Sequence, residues 1–332
     1  MPLNDLPLHE LRGYRGDVAE PEDFDAFWAE SLTRARTHDL DVRLTPAPGP
    51  RLPALDVDDV RFTGWGGVRI AAWLVRPAHV AGPLPIVVEF IGYSGGRGLP
   101  VEHTAWAAAG FAHLVVDTRG MGHATPDPDT SATSGQWANG FLTKGIEDPT
   151  TYFYRRAMVD CVRAVEAAHA LPRLGVDVDT ARVVVRGASQ GGAFSLAAAG
   201  LSGTAVAAAL VDVPFLCHIR RGVDTAPGGP YPEVVQYLRR HSREAVEQTF
   251  RTLSYIDGAN HGARASAPTL FSVALMDPVC PPSTVFAAYN RYGGLAPDLP
   301  DKEIAVWEFG DHDGGGAHQL QRQLEFLRRL WT

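Results

Sequence analysis

The chain has 332 residues, 45% of them hydrophobic and 20% charged, which is enough to bury a core in one large domain or two smaller ones. That composition is typical of a globular protein and argues against global disorder. The formal net charge of -8 argues against nucleic acid or an anionic membrane as the main partner, because both attract clustered lysine and arginine.

The first 55 residues predict an amphipathic helix followed by proline-rich coil. An apolar stripe at helical spacing is formed by Phe24, Phe27, Trp28 and Leu32. The tract TPAPGPRLP (45–53) is interpreted as a linker that passes over the surface. Residues 1–55 are therefore expected to form an N-terminal helical extension.

From Val60 onward, short apolar runs alternate with segments of helical period. The runs are VRFTGWGGVRIAAWLV (60–75, two strands), LPIVVEFIG (84–92), FAHLVVD (111–117), ARVVVRG (181–187), AVAAALVDV (205–213), PTLFSVALMD (268–277) and EIAVWEFG (303–310). The clearest helical pattern between them is YRRAMVDCVRAVEAAHAL (154–171). Continuous apolar runs of this kind are typical of strands buried in parallel sheets. The sequence therefore predicts an α/β fold with a mostly parallel central sheet flanked by helices.

Residues 214–266 interrupt this alternation with charge-rich helical segments and no convincing strand. We interpret them as a helical insertion over the ligand-binding edge of the sheet, near the active site. With this insertion, residues 1–332 are expected to form a single α/β domain.

Several features bear on the compartment in which the protein works. The longest uncharged run (187–211) has the length of a membrane span, but polar residues and the turn-like GLSGT (200–204) predict a buried helix followed by a buried strand. The start of the chain lacks the basic and apolar regions of a secretory signal. Three cysteines cannot all pair and match no close metal-ligand spacing: Cys161, Cys217 and Cys280. We therefore expect reduced thiols, a cytoplasmic location, no metal site and no membrane partner.

The stretch RGASQGGAFSLAAAG (186–200) holds a serine between a strand and a helix. Around Ser189 it matches the pattern G-x-S-x-G in the strand–turn–helix context of a nucleophile elbow. The turn is so tight that its flanking positions need residues with almost no side chain, which Gly187 and Gly191 provide. Ser189 is therefore predicted to be a catalytic nucleophile. The alternative is a helix-capping serine in a glycine-rich turn.

A serine nucleophile needs a base and an orienting acid, and in this arrangement both follow the serine, each after a later strand. Asp277 ends the apolar run 268–277 and His312 comes just after the run 303–310, so we predict Asp277 as the acid and His312 as the base. Two alternatives stay open. Asp277 could instead cap a helix starting near Pro281, and His318 could replace His312 from inside the final helical segment.

The remaining histidines are assigned other places. His113 lies at the centre of a strand and is predicted to be a core histidine with satisfied hydrogen bonds. Those expected at the surface or in loops are His103, His123, His218 and His261.

Acyl transfer also needs donors for the oxyanion, commonly the backbone N–H after the nucleophile and another from the loop after an early strand. We predict the N–H groups of Gln190 and Tyr93, the second within the loop GYSGGRG (92–98). The chain has neither the G-x-G-x-x-G pattern nor the Walker lysine pattern, so nucleotide binding is not expected and no cofactor is predicted.

Longer stretches of the chain resemble one known family. They are strand–GASQGG–helix, FIGYSGGRG, DTRGMGH, GIEDPTTYFYRRAMVDCVRAVE, LSYIDGANHGARASAPTLFSVALMDPVCPPSTVFAAYN, DHDGGG and the N-terminal PEDFDAFWAESL. Together they are similar, over nearly the whole chain, to the acetyl xylan esterase / cephalosporin C deacetylase family, carbohydrate esterase family 7. The pattern G-x-S-x-G alone is specific only to the superfamily, whereas G-x-S-Q-G-G together with MDPVCPPSTVFAAYN is much more specific.

The resemblance implies an α/β-hydrolase fold and metal-independent removal of acetyl groups from acetylated carbohydrates, xylo-oligosaccharides among them, and from small acetyl esters such as cephalosporin C. It implies that Ser189 is the nucleophile, Asp277 the acid and His312 the base, with oxyanion N–H groups from Tyr93 and Gln190. Gln190 would then act mainly through its backbone. The resemblance further implies a homo-oligomer, a hexamer built as a dimer of trimers with active sites facing an internal cavity.

Two positions depart from the family pattern. Met121 stands where the family's R-G-Q motif has glutamine, and Asp313 stands where its H-E pair has glutamate. Neither belongs to the predicted triad, so we expect the chemistry to be kept. The alternative functions are a broader carboxylesterase or another α/β-hydrolase such as a peptidase, and a non-catalytic scaffold on a hydrolase fold.

Overall fold

The computed structural model describes residues 5–128 and 140–332. Within these residues one sheet contains the strands β1 (Arg43–Pro46), β2 (Leu55–Thr63), β3 (Arg69–Pro77), β4 (Leu84–Phe90), β5 (Ala112–Val116), β6 (Val178–Ala188), β7 (Ala208–Asp212), β8 (Thr269–Ala274) and β9 (Lys302–Trp307). Their order is β1-β2-β3-β5-β4-β6-β7-β8-β9. The strands β1, β2 and β3 join in antiparallel fashion and β3 pairs antiparallel with β5, whereas every pair from β5 to β9 is parallel. The predicted mostly parallel sheet is confirmed.

The α-helices of the described residues lie between and after these strands. They are α1 (Leu8–Leu11), α2 (Phe24–Ala35), α3 (Ala105–Ala108), α4 (Phe153–Ala170), α5 (Gln190–Ser202), α6 (Ile219–Thr225), α7 (Tyr231–Arg240), α8 (Val246–Ser254), α9 (Gly258–Ala263), α10 (Pro282–Arg291) and α11 (Gly316–Leu330). The long uncharged run forms α5 and β7, as predicted. None of these helices combines the length and the apolar character needed to cross a membrane.

Both faces of the sheet are covered by apolar side chains. Since successive residues of a strand point to opposite faces, Ile86 and Val88 belong to one buried cluster, whereas Val87 belongs to another, with Phe326 and Leu327 of α11. This two-sided burial explains why the parallel strands appear in the sequence as continuous apolar runs.

The predicted N-terminal stripe packs onto the rest of the fold. Phe24 and Trp28 of α2 are each 1% exposed, and their rings lie 5.1 Å and 4.9 Å from the ring of His261. The prediction that His261 lies at the surface or in a loop is therefore wrong, because the residue belongs to α9 and its side chain is buried. His218 lies in the loop before α6, as predicted, although its side chain is buried. His261 is covered by the α2 helix, which lies far earlier in the chain. A local sequence pattern cannot indicate a contact between such distant residues.

The predicted linker 45–53 begins inside a strand. Thr45 and Pro46 belong to β1, where they pair with Asp59 and Asp58 of β2. Because proline has no N–H to donate, it is tolerated in a sheet at an edge strand, and β1 is the edge. The linker prediction is corrected for these two residues.

Residues 214–266 contain α6, α7, α8 and α9 and no strand, as the sequence predicts. The segment leads from β7 to β8, so its helices begin at the carboxyl edge of the parallel sheet. In α/β folds, ligands bind at this edge.

Candidate active site

Ser189 lies on the sharp turn between β6 and α5, with φ 57 and ψ -120. This left-handed backbone is rare for a residue with a side chain, and it persists only where surrounding contacts hold it. Here the Ser189 N–H donates to the Asp212 oxygen at 2.9 Å, and its own carbonyl accepts from the Phe215 N–H at 2.9 Å. The Ser189 side chain makes no capping hydrogen bond to α5. The alternative of a helix-capping serine is therefore not what the turn contains.

Two glycines allow the turn to close. A Cβ atom on Gly187 would lie 2.3 Å from the carbonyl carbon of Gly191, and one on Gly191 would lie 2.1 Å from the Phe90 oxygen. No side chain fits at either distance, because the neighbouring atoms are backbone. The glycines of the G-x-S-x-G pattern are thus required by close backbone approach.

Asp277 and His312 are joined by a hydrogen bond between Oδ2 and Nδ1 of 2.8 Å. The other carboxylate oxygen of Asp277 accepts the N–H groups of Val279 at 2.8 Å and Cys280 at 2.9 Å. The Asp277 side chain is fully buried, whereas that of His312 is 31% exposed. The carboxylate is therefore fixed in one orientation, and the imidazole has one edge on the acid and the other edge free to meet a substrate.

The two alternatives for the acid and the base are not supported. The N-cap residue of α10 is Pro281, and no N-cap side chain accepts a hydrogen bond there. The N–H of Ser283 in the first turn donates to Asp5 and not to Asp277. His318 is exposed on α11, where its ring lies 6.2 Å from that of Trp307.

Ser189 and His312 line one open pocket of about 640 Å³. Its other walls come from the loop after β4, from the start of α7 and from the loop after β8. The residues that line it include Tyr93, Glu233 and Val279. The structure thus brings the predicted nucleophile, base and oxyanion loop to one site.

Asp277, Cys280 and His312 place metal-ligand atoms within 4.8 Å of one another, the one such group among the residues that the structure describes. Burial raises the pKa of the Cys280 thiol well above its ordinary value, and the nearby Asp277 carboxylate raises it further. Two members of this group, Asp277 and His312, are already hydrogen-bonded to each other at 2.8 Å. The group is better explained by the Asp277–His312 pair than by a metal.

The two predicted oxyanion donors follow two neighbouring parallel strands, β6 and β4. Gln190 is the first residue of α5, and Tyr93 follows β4 after two intervening residues. Within residues 5–128 and 140–332, neither N–H donates to a protein acceptor outside its own helix or strand. The N–H at the start of a helix also carries the positive end of the helix dipole, which favours a developing negative charge.

The side chain of Gln190 makes hydrogen bonds of its own, whereas the resemblance implies a role mainly for its backbone. The residue is fully buried; its Oε1 accepts from the Tyr154 hydroxyl at 2.9 Å, and its Nε2 donates to the Ile91 oxygen at 3.2 Å. The same Nε2 lies 3.4 Å from the Met121 sulfur. Met121, which replaces the glutamine of the family motif, therefore still offers an acceptor, although a weaker one.

Asp313, the second departure, stays within the turn that carries His312. Its carboxylate accepts from the Gly315 N–H at 3.3 Å, and the residue is exposed. The shorter side chain therefore supports the glycine-rich turn after His312.

Glu233 is a pocket residue that sequence reasoning missed. The Tyr93 hydroxyl donates to both of its carboxylate oxygens, at 2.8 Å and 2.9 Å. Burial raises the pKa of Glu233 to about 7, although the hydrogen bonds from Tyr93 and the Leu142 N–H oppose this rise. No local signal marks the residue, because a glutamate on a charge-rich amphipathic helix is usually solvated.

A second charged group lines the same pocket. Glu89 of β4 and Arg186 of β6 form an ion pair that lines the pocket, and Glu89 also accepts from His113 at 2.6 Å. Burial alone would raise the pKa of Glu89, but Arg186 and His113 hold it below its ordinary value. His113 is buried and hydrogen-bonded, which confirms the prediction of a core histidine.

Known proteins resemble the chain over almost its whole length. The family model described as acetyl xylan esterase (AXE1) matches residues 1–330. A solved structure of an acetyl xylan esterase from Paenibacillus sp. R4 is 37% identical with a TM-score of 0.88, covering 98% of this chain and 99% of that one. Acetyl xylan esterase 1 from Thermoanaerobacterium sp. JW/SL YS485 is 33% identical with a TM-score of 0.87, covering 99% and 100%. The fold is therefore that of the α/β-hydrolase esterases, as predicted.

A curated relative is longer than the chain. The acetyl esterase Axe7A of Xylanibacter ruminicola is 30% identical over 277 residues, which cover 81% of this chain and 60% of the relative. The chain thus spans about three fifths of the length of that relative.

Proposed function

The chain belongs to the acetyl xylan esterase family, and from this we propose that it is a carboxylic ester hydrolase that removes acetyl groups from acetylated carbohydrates. The observation that carries the proposal is the 2.8 Å hydrogen bond from His312 to the buried Asp277, in the pocket that Ser189 lines. A base oriented by a buried acid beside an elbow serine is the arrangement that acyl transfer needs.

In the proposed first half of the reaction, Ser189 Oγ attacks the acetyl carbonyl carbon while His312 Nε2 takes the hydroxyl proton. Asp277 holds the imidazole through Nδ1 and stabilises the positive charge that forms on it. The negative charge on the carbonyl oxygen is met by the N–H groups of Gln190 and Tyr93. The ester bond to the alcohol then breaks, and His312 returns its proton to the alcohol oxygen.

In the second half, water attacks the acetyl group on Ser189, and His312 again takes a proton. The bond between the acetyl carbon and Ser189 Oγ breaks, the serine recovers its proton from His312, and acetate leaves. The same oxyanion donors serve both halves, since both pass through a tetrahedral intermediate.

We propose acetylated xylo-oligosaccharides and other acetylated sugars as the substrates, with small acetyl esters such as cephalosporin C also accepted. Support comes from the two similar structures, whose names describe acetyl xylan esterases, and from the relative named as an acetyl esterase. The open pocket is consistent with a sugar that projects its acetyl group inward while the ring stays near solvent.

The test is hydrolysis of p-nitrophenyl esters from acetate to octanoate by the wild-type enzyme and by Ser189→Ala. We expect fast cleavage of the acetate, a steep fall with acyl length, and loss of activity by several orders of magnitude in the variant. Release of acetate from acetylated xylo-oligosaccharides and cephalosporin C then ranks the substrates. A flat profile with chain length would favour a broad carboxylesterase, and activity that survives in Ser189→Ala would refute Ser189 as the nucleophile.

We also propose that the protein is a homo-oligomer, a hexamer on the family pattern. Exposed apolar side chains such as Leu299 (70%) and Phe309 (84%) support an assembly that covers them. Light scattering should give about six times the chain mass, and a particle of 35.8 kDa would contradict the proposal.

We further propose a cytoplasmic location. The three cysteines are buried free thiols, which supports a reducing compartment. Fractionation of the native cell checks the location.

A further inference from the structure

The carboxylate of Glu233 connects three segments that surround the pocket. It belongs to α7, it accepts the Tyr93 hydroxyl from the loop after β4, and its Oε2 accepts the Leu142 N–H at 3.2 Å. The Tyr93 oxygen in turn accepts the N–H groups of Phe141 and Leu142. Glu233 and the Tyr93 phenol therefore form one hydrogen-bonded unit in which both carboxylate oxygens and the hydroxyl have partners.

The backbone beside this unit is shaped to admit a carboxylate. Gly140 has φ +109, and a Cβ atom placed on it would lie 1.9 Å from the carboxyl carbon of Glu233. Only a residue without a side chain allows the carboxylate to lie against the chain at this point. The Glu233 position is thus accommodated from both the α7 side and the 140–142 side.

The loop that carries the predicted Tyr93 oxyanion donor is held at two places. On one side, Gln190 Nε2 binds the oxygen of Ile91, two residues before Tyr93. On the other side the Gly95 N–H donates to the Gly92 oxygen at 3.1 Å, which closes a turn around Tyr93 and Ser94 and holds Ser94 at a left-handed φ of 60. Between them, the Tyr93 phenol and Glu233 provide the hydrogen bonds that anchor Tyr93 itself.

We propose that Glu233 is a positioning residue for ester hydrolysis, because its carboxylate fixes the Tyr93 phenol and, through it, the Tyr93 N–H that donates to the oxyanion. This inference rests on the proposed esterase function. Glu233 acts through Tyr93 and not on the reacting atoms. Its effect is therefore expected in the transition state, where the oxyanion exists, and not in the ground state.

The same residue lines the pocket, where the alternative to positioning is that its carboxylate accepts a hydroxyl group of the sugar. Such a role would act on substrate binding, and its loss would raise KM with kcat unchanged. The contacts favour positioning, since the carboxylate is bound to the Tyr93 hydroxyl and to the Leu142 N–H.

The experiment compares Glu233→Ala, Glu233→Gln, Tyr93→Phe and the double variant Tyr93→Phe/Glu233→Ala with p-nitrophenyl acetate. The substrate has no sugar hydroxyl, so any loss arises from the reacting centre. We expect kcat to fall between about ten- and a hundred-fold in Glu233→Ala and in Tyr93→Phe, with KM within about threefold. Glu233→Gln keeps one acceptor for the phenol and should lose less. The double variant should lose no more than the larger single loss, because both remove one hydrogen bond.

The affinity for a boronic acid, which forms a tetrahedral adduct on the serine, is the second measurement. A merely structural role of Glu233 would leave this affinity unchanged. Binding of the boronic acid should weaken by the same factor as kcat/KM in each variant. Gln236→Ala, on the exposed face of the same helix, is the control and should leave all values unchanged. If Glu233→Ala does not fold, the near-isosteric Tyr93→Phe and Glu233→Gln carry the test.

The outcomes separate this proposal from the esterase function. If the wild-type enzyme cleaves acetate and Ser189→Ala does not, the esterase function holds whatever Glu233 does. If folded Glu233→Ala and Tyr93→Phe then keep kcat and boronic acid affinity within twofold, the positioning role is refuted. A rise in KM alone refutes it as well and assigns Glu233 to substrate binding.

Discussion

The side-chain amide of Gln190 donates to the main-chain oxygen of Ile91 at 3.2 Å, so the residue after Ser189 reaches across to the loop that carries Tyr93. One side chain therefore links the two predicted oxyanion donors, its own N–H and that of Tyr93. Its Oε1 accepts the Tyr154 hydroxyl at 2.9 Å, which fixes the amide in one orientation. We therefore expect the glutamine at this position to fix the spacing between the two predicted donors.

Gln190→Ala keeps the backbone N–H but removes this link. We expect kcat for an acetyl ester to fall by about one to two orders of magnitude with little change in KM, because the spacing of the donors loosens. The free energy of unfolding should fall by about 1–3 kcal/mol, since the Tyr154 hydroxyl and the Ile91 oxygen lose partners. Tyr154→Phe is the matched control: it removes one bond to the amide yet leaves the link to Ile91, and should keep most of kcat. Equal losses in both variants would contradict a role for the link.

Asp277→Asn should leave the fold intact and lower kcat by about three to four orders of magnitude. The amide can no longer select the imidazole tautomer that leaves Nε2 free to accept the Ser189 proton. Steady-state hydrolysis of p-nitrophenyl acetate measures the effect. Asp313→Asn, next to His312 but bonded only within its turn, should change kcat by less than about threefold. A small effect of Asp277→Asn would place the acid elsewhere.

Much of the site could be predicted because its chemistry follows the strands. Ser189, Asp277 and His312 each come shortly after an apolar run, and the carboxyl ends of neighbouring parallel strands meet at one edge. Strands buried on both faces appear in the sequence as continuous apolar runs, so the order of strands and helices from β4 to β9 could be predicted.

The remainder depends on contacts between residues far apart in the chain. Glu233 lies 140 residues from Tyr93, and Asp5 lies 278 residues from Ser283. A carboxylate that turns inward from a charged helix, or from an N-terminal coil, has the same sequence pattern as one that faces solvent. The same reasoning explains the buried His261, whose covering residues belong to α2.

Met121→Leu should lower the free energy of unfolding by about 1 kcal/mol, because Gln190 Nε2 loses the sulfur acceptor at 3.4 Å. Met121→Gln, which restores the family residue, offers an amide oxygen and should be at least as stable as the wild type. Urea unfolding of the three proteins makes the comparison. If leucine and glutamine shift the midpoint equally, the sulfur is only filling space.

His261 should make the protein less stable in acid. Burial lowers the pKa of His261 to about 3, with the Arg264 guanidinium acting in the same direction and the Tyr255 carbonyl opposing it. An unfolded histidine binds a proton below about pH 6.5, so between pH 6.5 and 3 the unfolded state holds the extra proton. This contribution to the free energy of unfolding is complete above pH 6.5 and is lost as the pH falls.

His261→Leu should therefore show a shallower loss of stability between pH 7 and 4.5 than the wild type, by up to one proton. Urea unfolding at several pH values gives the slope of the free energy of unfolding against pH. The slopes are compared because the substitution also changes the absolute stability. Trp28→Phe disturbs the packing on His261 but keeps the imidazole, so it should retain the wild-type slope. An unchanged slope in His261→Leu would assign the acid sensitivity to other groups.

Asp5 joins the N-terminal segment to the helix that follows the acid loop. Its Oδ2 accepts the Ser283 N–H in the first turn of α10 at 2.7 Å, and its Oδ1 accepts from Arg221 of α6 at 3.0 Å. The Asp5 side chain is 6% exposed, whereas that of Arg221 is 30% exposed. A buried carboxylate at a helix N-terminus meets both an unpaired N–H and the positive end of the dipole. The partly exposed ion pair contributes less.

Asp5→Ala should therefore lower the free energy of unfolding by about 1–3 kcal/mol, because the Ser283 N–H is left without its acceptor. Asp5→Asn keeps a neutral acceptor and should lose less. Arg221→Ala removes the ion pair and the 3.1 Å hydrogen bond from Arg221 Nε to the Ser283 hydroxyl but leaves the cap on the Ser283 N–H, so it should lose least. Since α10 follows directly on the loop from Asp277 to Pro281, activity in Asp5→Ala should also be lost at a lower temperature than in the wild type. Urea unfolding and residual activity after heating measure both effects. If Arg221→Ala costs as much as Asp5→Ala, the ion pair and not the helix cap holds the N-terminal segment in place.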